Sequence, residues 1–177
     1  MATLIRHRKI VSDNWQLLKP ADDGSAPPLP ESGDIIVPLA AWLAQRDRLL
    51  QRPGRLGVWL AGGDEPALIA EDLKNLGVVA VYFTQFSDGR GYSLGRLLRV
   101  RYGWRGELRA VGDVLRDQLF YLAGCGFDAF ALRDDQDLQA ALSAFGDFSE
   151  AYQASAARPL PLFRRRHLNS PDGMEWS

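Results

Sequence analysis

The chain has 177 residues, a formal net charge of −1, and 46% hydrophobic against 24% charged residues. That length suits one domain able to bury about 70% of the surface its unfolded form exposes, and the mixture is that of a globular protein rather than a disordered one. Near-neutral charge argues against a nucleic-acid or general polyanion binder, a lone Cys125 permits no intramolecular disulfide, and His7 and His167, near opposite ends, leave no zinc-type spacing.

The first eight residues carry basic side chains with no apolar run behind them. Neither a signal peptide nor a membrane span is predicted, and a reducing cytoplasm is the expected location. Ile10, Val11, Trp15, Leu17 and Leu18 surround Ser12-Asp13-Asn14, a turn-forming cluster. The pattern predicts a small β-hairpin within residues 1–19. Residues 20–33, rich in proline, have almost nothing to bury and read as an exposed loop.

An α/β body is predicted over residues 34–150. Ile35-Ile36-Val37 is a short apolar strand, and Pro38 suits the first turn of a helix carrying Trp42, Leu43, Leu49 and Leu50, closed by Pro53-Gly54. A unit then repeats. Strand Leu56-Gly57-Val58-Trp59-Leu60-Ala61 leads to a helix with Ile69, Leu73 and Leu76 on one face, Asp64 as its N-cap and Gly77 just past its end. Strand Val78-Val79-Ala80-Val81-Tyr82-Phe83 leads to a helix between Tyr92 and Tyr102. Strand Glu107-Leu108-Arg109-Ala110-Val111 leads to a helix from Asp113 that Gly124 and Gly126 stop, and strand Asp128-Ala129-Phe130-Ala131-Leu132 to one with Leu138, Ala141, Leu142 and Phe145.

Strand starts at 56, 78, 107 and 128 lie about one βαβ unit apart. Right-handed crossovers between parallel neighbours build a helix-covered parallel sheet. The predicted class is therefore α/β: repeated strand–helix units, with a half-barrel of TIM type preferred to an open doubly wound sheet, and the hairpin in front. Residues 151–177, including Arg158-Pro159-Leu160-Pro161-Leu162-Phe163-Arg164-Arg165-Arg166-His167, read as an extended tail that is either a plain terminus or a docking segment.

In parallel α/β sheets ligands gather beyond the carboxyl ends of the strands. Of the four loops there, the one from Thr84 to Ser93 is the longest and holds an Asp-Gly-Arg-Gly turn. From Phe86 to Arg116 seven arginines face three acids, Asp88, Glu107 and Asp113, a local excess that suits a small oxyanion, a phosphate-bearing ligand or an acidic partner. Alternation puts Glu107, Arg109 and Val111 on one side of their strand, and an arginine in a central strand must be paired or face a cavity. The expectation is that Asp88, Arg90, Arg109 and Asp113 meet in one ligand-binding cleft. Internal ion pairing, Asp88 with Arg90 or Arg109 and Glu107 with an arginine of an adjacent helix, is the competing reading. Cys125 reads as a small buried residue, Gly62-Gly63 lacks the rest of a Rossmann or Walker pattern, and neither a metal nor a cofactor is predicted.

The run Phe86-Ser87-Asp88-Gly89-Arg90-Gly91-Tyr92-Ser93, with Leu97-Leu98-Arg99, Gly106-Glu107-Leu108-Arg109-Ala110-Val111-Gly112-Asp113-Val114 and Gly126-Phe127-Asp128-Ala129-Phe130, resembles an uncharacterised proteobacterial family. That family is often encoded beside the sulfite reductase of sulfate assimilation and is sometimes labelled a probable oxidoreductase of sulfite reduction. The likeness covers roughly residues 35–150. It implies a setting in cysteine biosynthesis, with sulfite reductase or another sulfur-assimilation protein as partner. The chain lacks the cysteines of an iron–sulfur cluster and any flavin or NAD signature, so an accessory role fits better than redox chemistry. The alternatives are a small enzyme acting on an anionic substrate through the Asp/Arg cluster, and a structural homo-oligomer that covers its exposed strands with a second copy.

Overall fold

The computed structural model describes residues 2–146, and the tail expected at 151–177 lies outside them. In chain order the elements are β1 (Ala2–Arg6), β2 (Lys9–Asp13), β3 (Gln16–Leu17), β4 (Ile35–Pro38), α1 (Leu39–Gln51), β5 (Leu56–Ala61), a 3₁₀ segment Pro66–Asn75 and β6 (Val78–Phe83). There follow α2 (Gly89–Val100), β7 (Glu107–Gly112), a 3₁₀ turn Arg116–Gln118, α3 (Leu119–Gly124), β8 (Ala129–Phe130) and α4 (Leu138–Gly146).

All the strands join one sheet in the order β2-β1-β8-β7-β6-β5-β4-β3. From β3 to β8 each strand pairs parallel with the next one in sequence; right-handed crossovers, the rule for such pairs, carry the intervening helices to one face. β1 adds antiparallel to β8, and β2 antiparallel to β1.

The two outermost strands, β2 and β3, are linked by Asn14-Trp15 alone. In a flat sheet they would stand roughly 33 Å apart at about 4.8 Å per step. Three Cα–Cα steps span at most about 11 Å. The sheet must therefore curl until its ends approach, and it forms the α/β half-barrel, the form preferred to the open sheet that strand spacing alone also allowed.

Strand alternation sorts the side chains between two layers. Val58, Leu60, Val79, Val81, Leu108 and Ala110 face the helices and pack with Trp42, Leu49, Ile69, Leu94, Leu98 and Leu122 in the main core. Ile36, Val78, Ala80 and Val111 face the concave side, where Trp15 packs on them and Leu17, Trp59, Tyr82 and Ala131 stay partly open. Trp42 Nε1 donates to the buried Asp72 carboxylate at 2.8 Å, tying α1 to the 3₁₀ segment.

Several local expectations need correction. The hairpin turn is not Ser12-Asp13-Asn14 but His7-Arg8, whose φ values of 50° and 64° suit a primed two-residue turn. Leu4 and Ile5 are buried and pair with Val11 and Ile10, which carries β2 through to Asp13. The segment after Gly63 is 3₁₀ rather than α: Asp64 turns back to accept from the Ala61 N–H, leaving the segment without a side-chain cap. Gly77 does not act as a left-handed stop; its N–H bonds Leu56 and its open side receives the Trp15 ring. Helix formation after β7 waits until Leu119, because the Asp113 carboxylate is already taken by the Phe86 N–H and Arg133.

Candidate functional site

At the carboxyl-end mouth of the half-barrel lies a cavity of about 400 Å³. Its apolar wall is Leu17, Ile36, Tyr82, Val111 and Ala131, and its charged groups are Asp13, Lys19, Arg109, Asp113, Arg133 and Asp134. The strand C-termini and the loops after them therefore supply this site, as expected for a parallel sheet.

Arg109 projects from the middle of β7 onto the concave side and is only 2% exposed. A buried guanidinium needs partners, and it has two carboxylates: Nε donates to Glu107 at 2.9 Å and Nη1 to Asp13 at 3.0 Å. Glu107 also faces Arg6 at 3.5 Å, so the four groups form a charge-balanced chain from β1 through β7 to β2. Nη2 stands 2.8 Å from Glu107 Oε1 but off the line of a hydrogen bond, and makes none.

The rest of the rim is organised by Arg133. It reaches Asp113 at 2.9 Å and Asp135 at 2.7 Å, and hydrogen bonds from Arg133 lower the Asp135 pKa to about 2. Gly112, with φ of +92°, turns the chain out of β7; a side chain there would run into the Phe83 carbonyl. Lys19 sits with its ammonium 5.2 Å from the Tyr82 ring centroid. Among the described residues it has no carboxylate partner. Asp134, also at the rim, is the carboxylate there without a cation partner among the described residues.

Of the four side chains expected to converge, Arg109 and Asp113 line this cavity and Asp88 and Arg90 do not. Asp88 is the N-cap of α2, accepting from the Arg90 backbone N–H and gripping its side chain at 3.1 Å. That grip lowers the Asp88 pKa, with the backbone hydrogen bond adding to it. The pair stands beside Gly62, at the neighbouring loop. Arg99 is also occupied, donating to the carbonyls of Trp104, Gly106 and Gly126, where it closes the C-terminal end of α2. Cys125 is buried, and burial pushes its thiol pKa up, the opposite of an activated nucleophile.

Sequence reading missed Lys19 because the strand that leads to it is two residues long, and Asp13 because Ser12-Asp13-Asn14 reads as a turn and not as the end of β2. The signal available was rarity: Lys19 is one of three lysines among 21 basic residues. Among the described residues, no group of three or more His, Cys, Asp or Glu is placed to hold a metal ion, and no helix is long and apolar enough to cross a membrane.

Fold and site together define a singly wound α/β half-barrel with a ligand-sized, mixed-charge mouth. A family model described as "Bacterial protein of unknown function (DUF934)" matches residues 57–163. The match spans well over half of the chain, which therefore belongs to that family, in line with the expected resemblance to an uncharacterised bacterial one. No curated protein and no solved structure matches the chain.

Proposed function

We propose that this chain is a binding protein rather than an enzyme, that it holds a small anion at the mouth of the half-barrel, and that it serves as an accessory of assimilatory sulfate and sulfite reduction. The observation that carries the anion reading is Lys19, a cation without a carboxylate partner among the described residues, at the rim of a cavity whose wall includes the buried Arg109. Arg109 is flanked by two carboxylates, so its own pull on an incoming anion is largely cancelled. Its role is to fix the wall, and Lys19 supplies the attraction.

The sulfur setting rests on the resemblance of residues 86–130 to a family encoded beside sulfite reductase. On this reading the protein acts in the cytoplasm, next to sulfite reductase or another protein of the pathway. The enzyme alternative has less support. Asp13 and Asp113 are both engaged as acceptors, by Arg109 and by Arg133. Among the described residues lining the mouth, that leaves Asp134 as the carboxylate without a cation partner.

Growth and co-purification test the setting together. Deletion of the gene should slow growth on sulfate or sulfite and not on cysteine, and the tagged full chain should retain a sulfur-assimilation protein. Equal growth on all three sulfur sources, with no such protein retained, would overturn it.

A further inference from the structure

We infer that the ligand of this mouth is an organic anion with an apolar body, not a bare inorganic oxyanion; this rests on the anion reading above. The first argument is size. A tetrahedral oxyanion fills only a few times the roughly 30 Å³ that a water molecule takes in the liquid. The cavity is about 400 Å³, within the range of about 300–1,000 Å³ typical of pockets for organic ligands. An inorganic ion at Lys19 would leave most of it to water.

The second argument is the distribution of polarity. Leu17, Ile36, Val111 and Ala131 form a continuous apolar wall on the concave face, while Lys19 and Arg133 stand at the rim. Apolar surface of this kind gains nothing from a hydrated inorganic ion, and water against it is released favourably by a hydrocarbon or aromatic group. A ligand with its acid at Lys19 and its body against Val111 and Ala131 satisfies both ends.

The third is Arg109. It lines the cavity, it is 2% exposed, and its Nη2, 2.8 Å from Glu107 Oε1 but off the line of a hydrogen bond, makes none. Buried donors of this kind call for an explanation. A carbonyl or ether oxygen on the body of the ligand is the kind of acceptor that would meet it.

Calorimetric titration of the full chain with sulfite, sulfate, phosphate, methanesulfonate and benzenesulfonate tests this, with benzenesulfonamide as the uncharged control. The expected order is benzenesulfonate at least tenfold tighter than sulfate, methanesulfonate between them, and the sulfonamide at least tenfold weaker than its sulfonate. Ala131→Phe, which fills the apolar wall without touching a charge, should weaken benzenesulfonate at least tenfold and leave any sulfate binding unchanged. The sulfonate series needs no variant, so it decides even if Ala131→Phe fails to fold. Sulfate or sulfite binding as tightly as benzenesulfonate overturns this inference and leaves the anion reading standing. Benzenesulfonamide matching benzenesulfonate, or no compound of the set binding, overturns both.

Discussion

Asp13 and Arg109 lie 96 positions apart in the chain, and the Arg109 Nη1 donates to Asp13 Oδ1 at 3.0 Å across the concave side of the sheet. One residue ends an edge strand and the other sits mid-sheet in β7, so their contact spans the curl of the half-barrel. Glu107 completes the clamp on the same strand. Because all three side chains are largely out of water, the network is asymmetric in energy: removing one partner strands the others.

Arg109→Met should therefore lower the stability of the full chain by about 3–5 kcal/mol, since two buried carboxylates lose their shared cation. Adding Asp13→Leu and Glu107→Leu to that variant should recover most of the loss, because apolar replacements of a whole buried ion network are often neutral or stabilising. Urea unfolding of wild type and the two variants measures both steps; a mild single substitution, or a triple variant weaker than the single one, contradicts the clamp.

Lys19 and the Asp88–Arg90 pair should separate binding from stability. Lys19→Ala, an exposed position, should change unfolding free energy by no more than about 0.5 kcal/mol while weakening anion binding at least tenfold. Asp88→Ala should cost about 1 kcal/mol through loss of the α2 N-cap and leave anion affinity unchanged. Thermal denaturation with and without ligand reads both quantities, and an affinity loss in Asp88→Ala would return that pair to the binding site.

Two glycines of α2 should respond in opposite ways to the same substitution. Gly95 packs against the Phe127 ring so closely that a methyl group would overlap it, whereas Gly89 has open space around it. Gly95→Ala should cost about 1–3 kcal/mol from overpacking despite alanine's better helix propensity. Gly89→Ala should gain up to about 1 kcal/mol by restricting the unfolded chain. Equal effects at the two sites, read by chemical denaturation, would refute the packing of α2 on the sheet.

Acid stability should carry two opposed contributions. Burial tends to raise the Asp72 pKa, but hydrogen bonds from Arg46 and Trp42 outweigh it and bring the net value below 3.8. Its contribution is thus full above the unfolded value and lost as pH falls through the folded one. Burial raises the Asp128 pKa above 3.8, so its contribution is full below 3.8 and is lost as pH rises through the folded value. Relative to wild type, Asp72→Asn should lose its deficit as pH drops below 3.8, and the stability of Asp128→Asn should improve as pH rises from 3.8. Unfolding free energies between pH 2 and 7 give both slopes, and either slope reversed contradicts the corresponding assignment.

The sheet was legible in the sequence because Val58, Val79, Ala110 and their strand neighbours form short apolar runs at even spacing, and a right-handed crossover leaves little choice once such runs alternate with helices. Alternation in β7 also placed Arg109 on the face opposite Leu108 and Ala110. What the sequence hid was long-range. β3 is two residues long and gains its strand character from pairing with β4, and the His7-Arg8 turn lacks the glycine or asparagine that usually marks one. The charge excess from Phe86 to Arg116 suggested one cleft, but Arg90 serves a cap and Arg99 three carbonyls, and neither lines the mouth. A charge count cannot tell a free guanidinium from one already engaged.

An amide-resolved NMR titration of the full chain with benzenesulfonate tests the central claim most directly. Shift changes should concentrate at residues 17–19, 82–84, 111–113 and 131–134, four stretches that line the mouth, and should vanish in Lys19→Ala. Changes centred instead on the outer face of α1, or spread over Asp88 and Arg90 with the mouth unaffected, would contradict it.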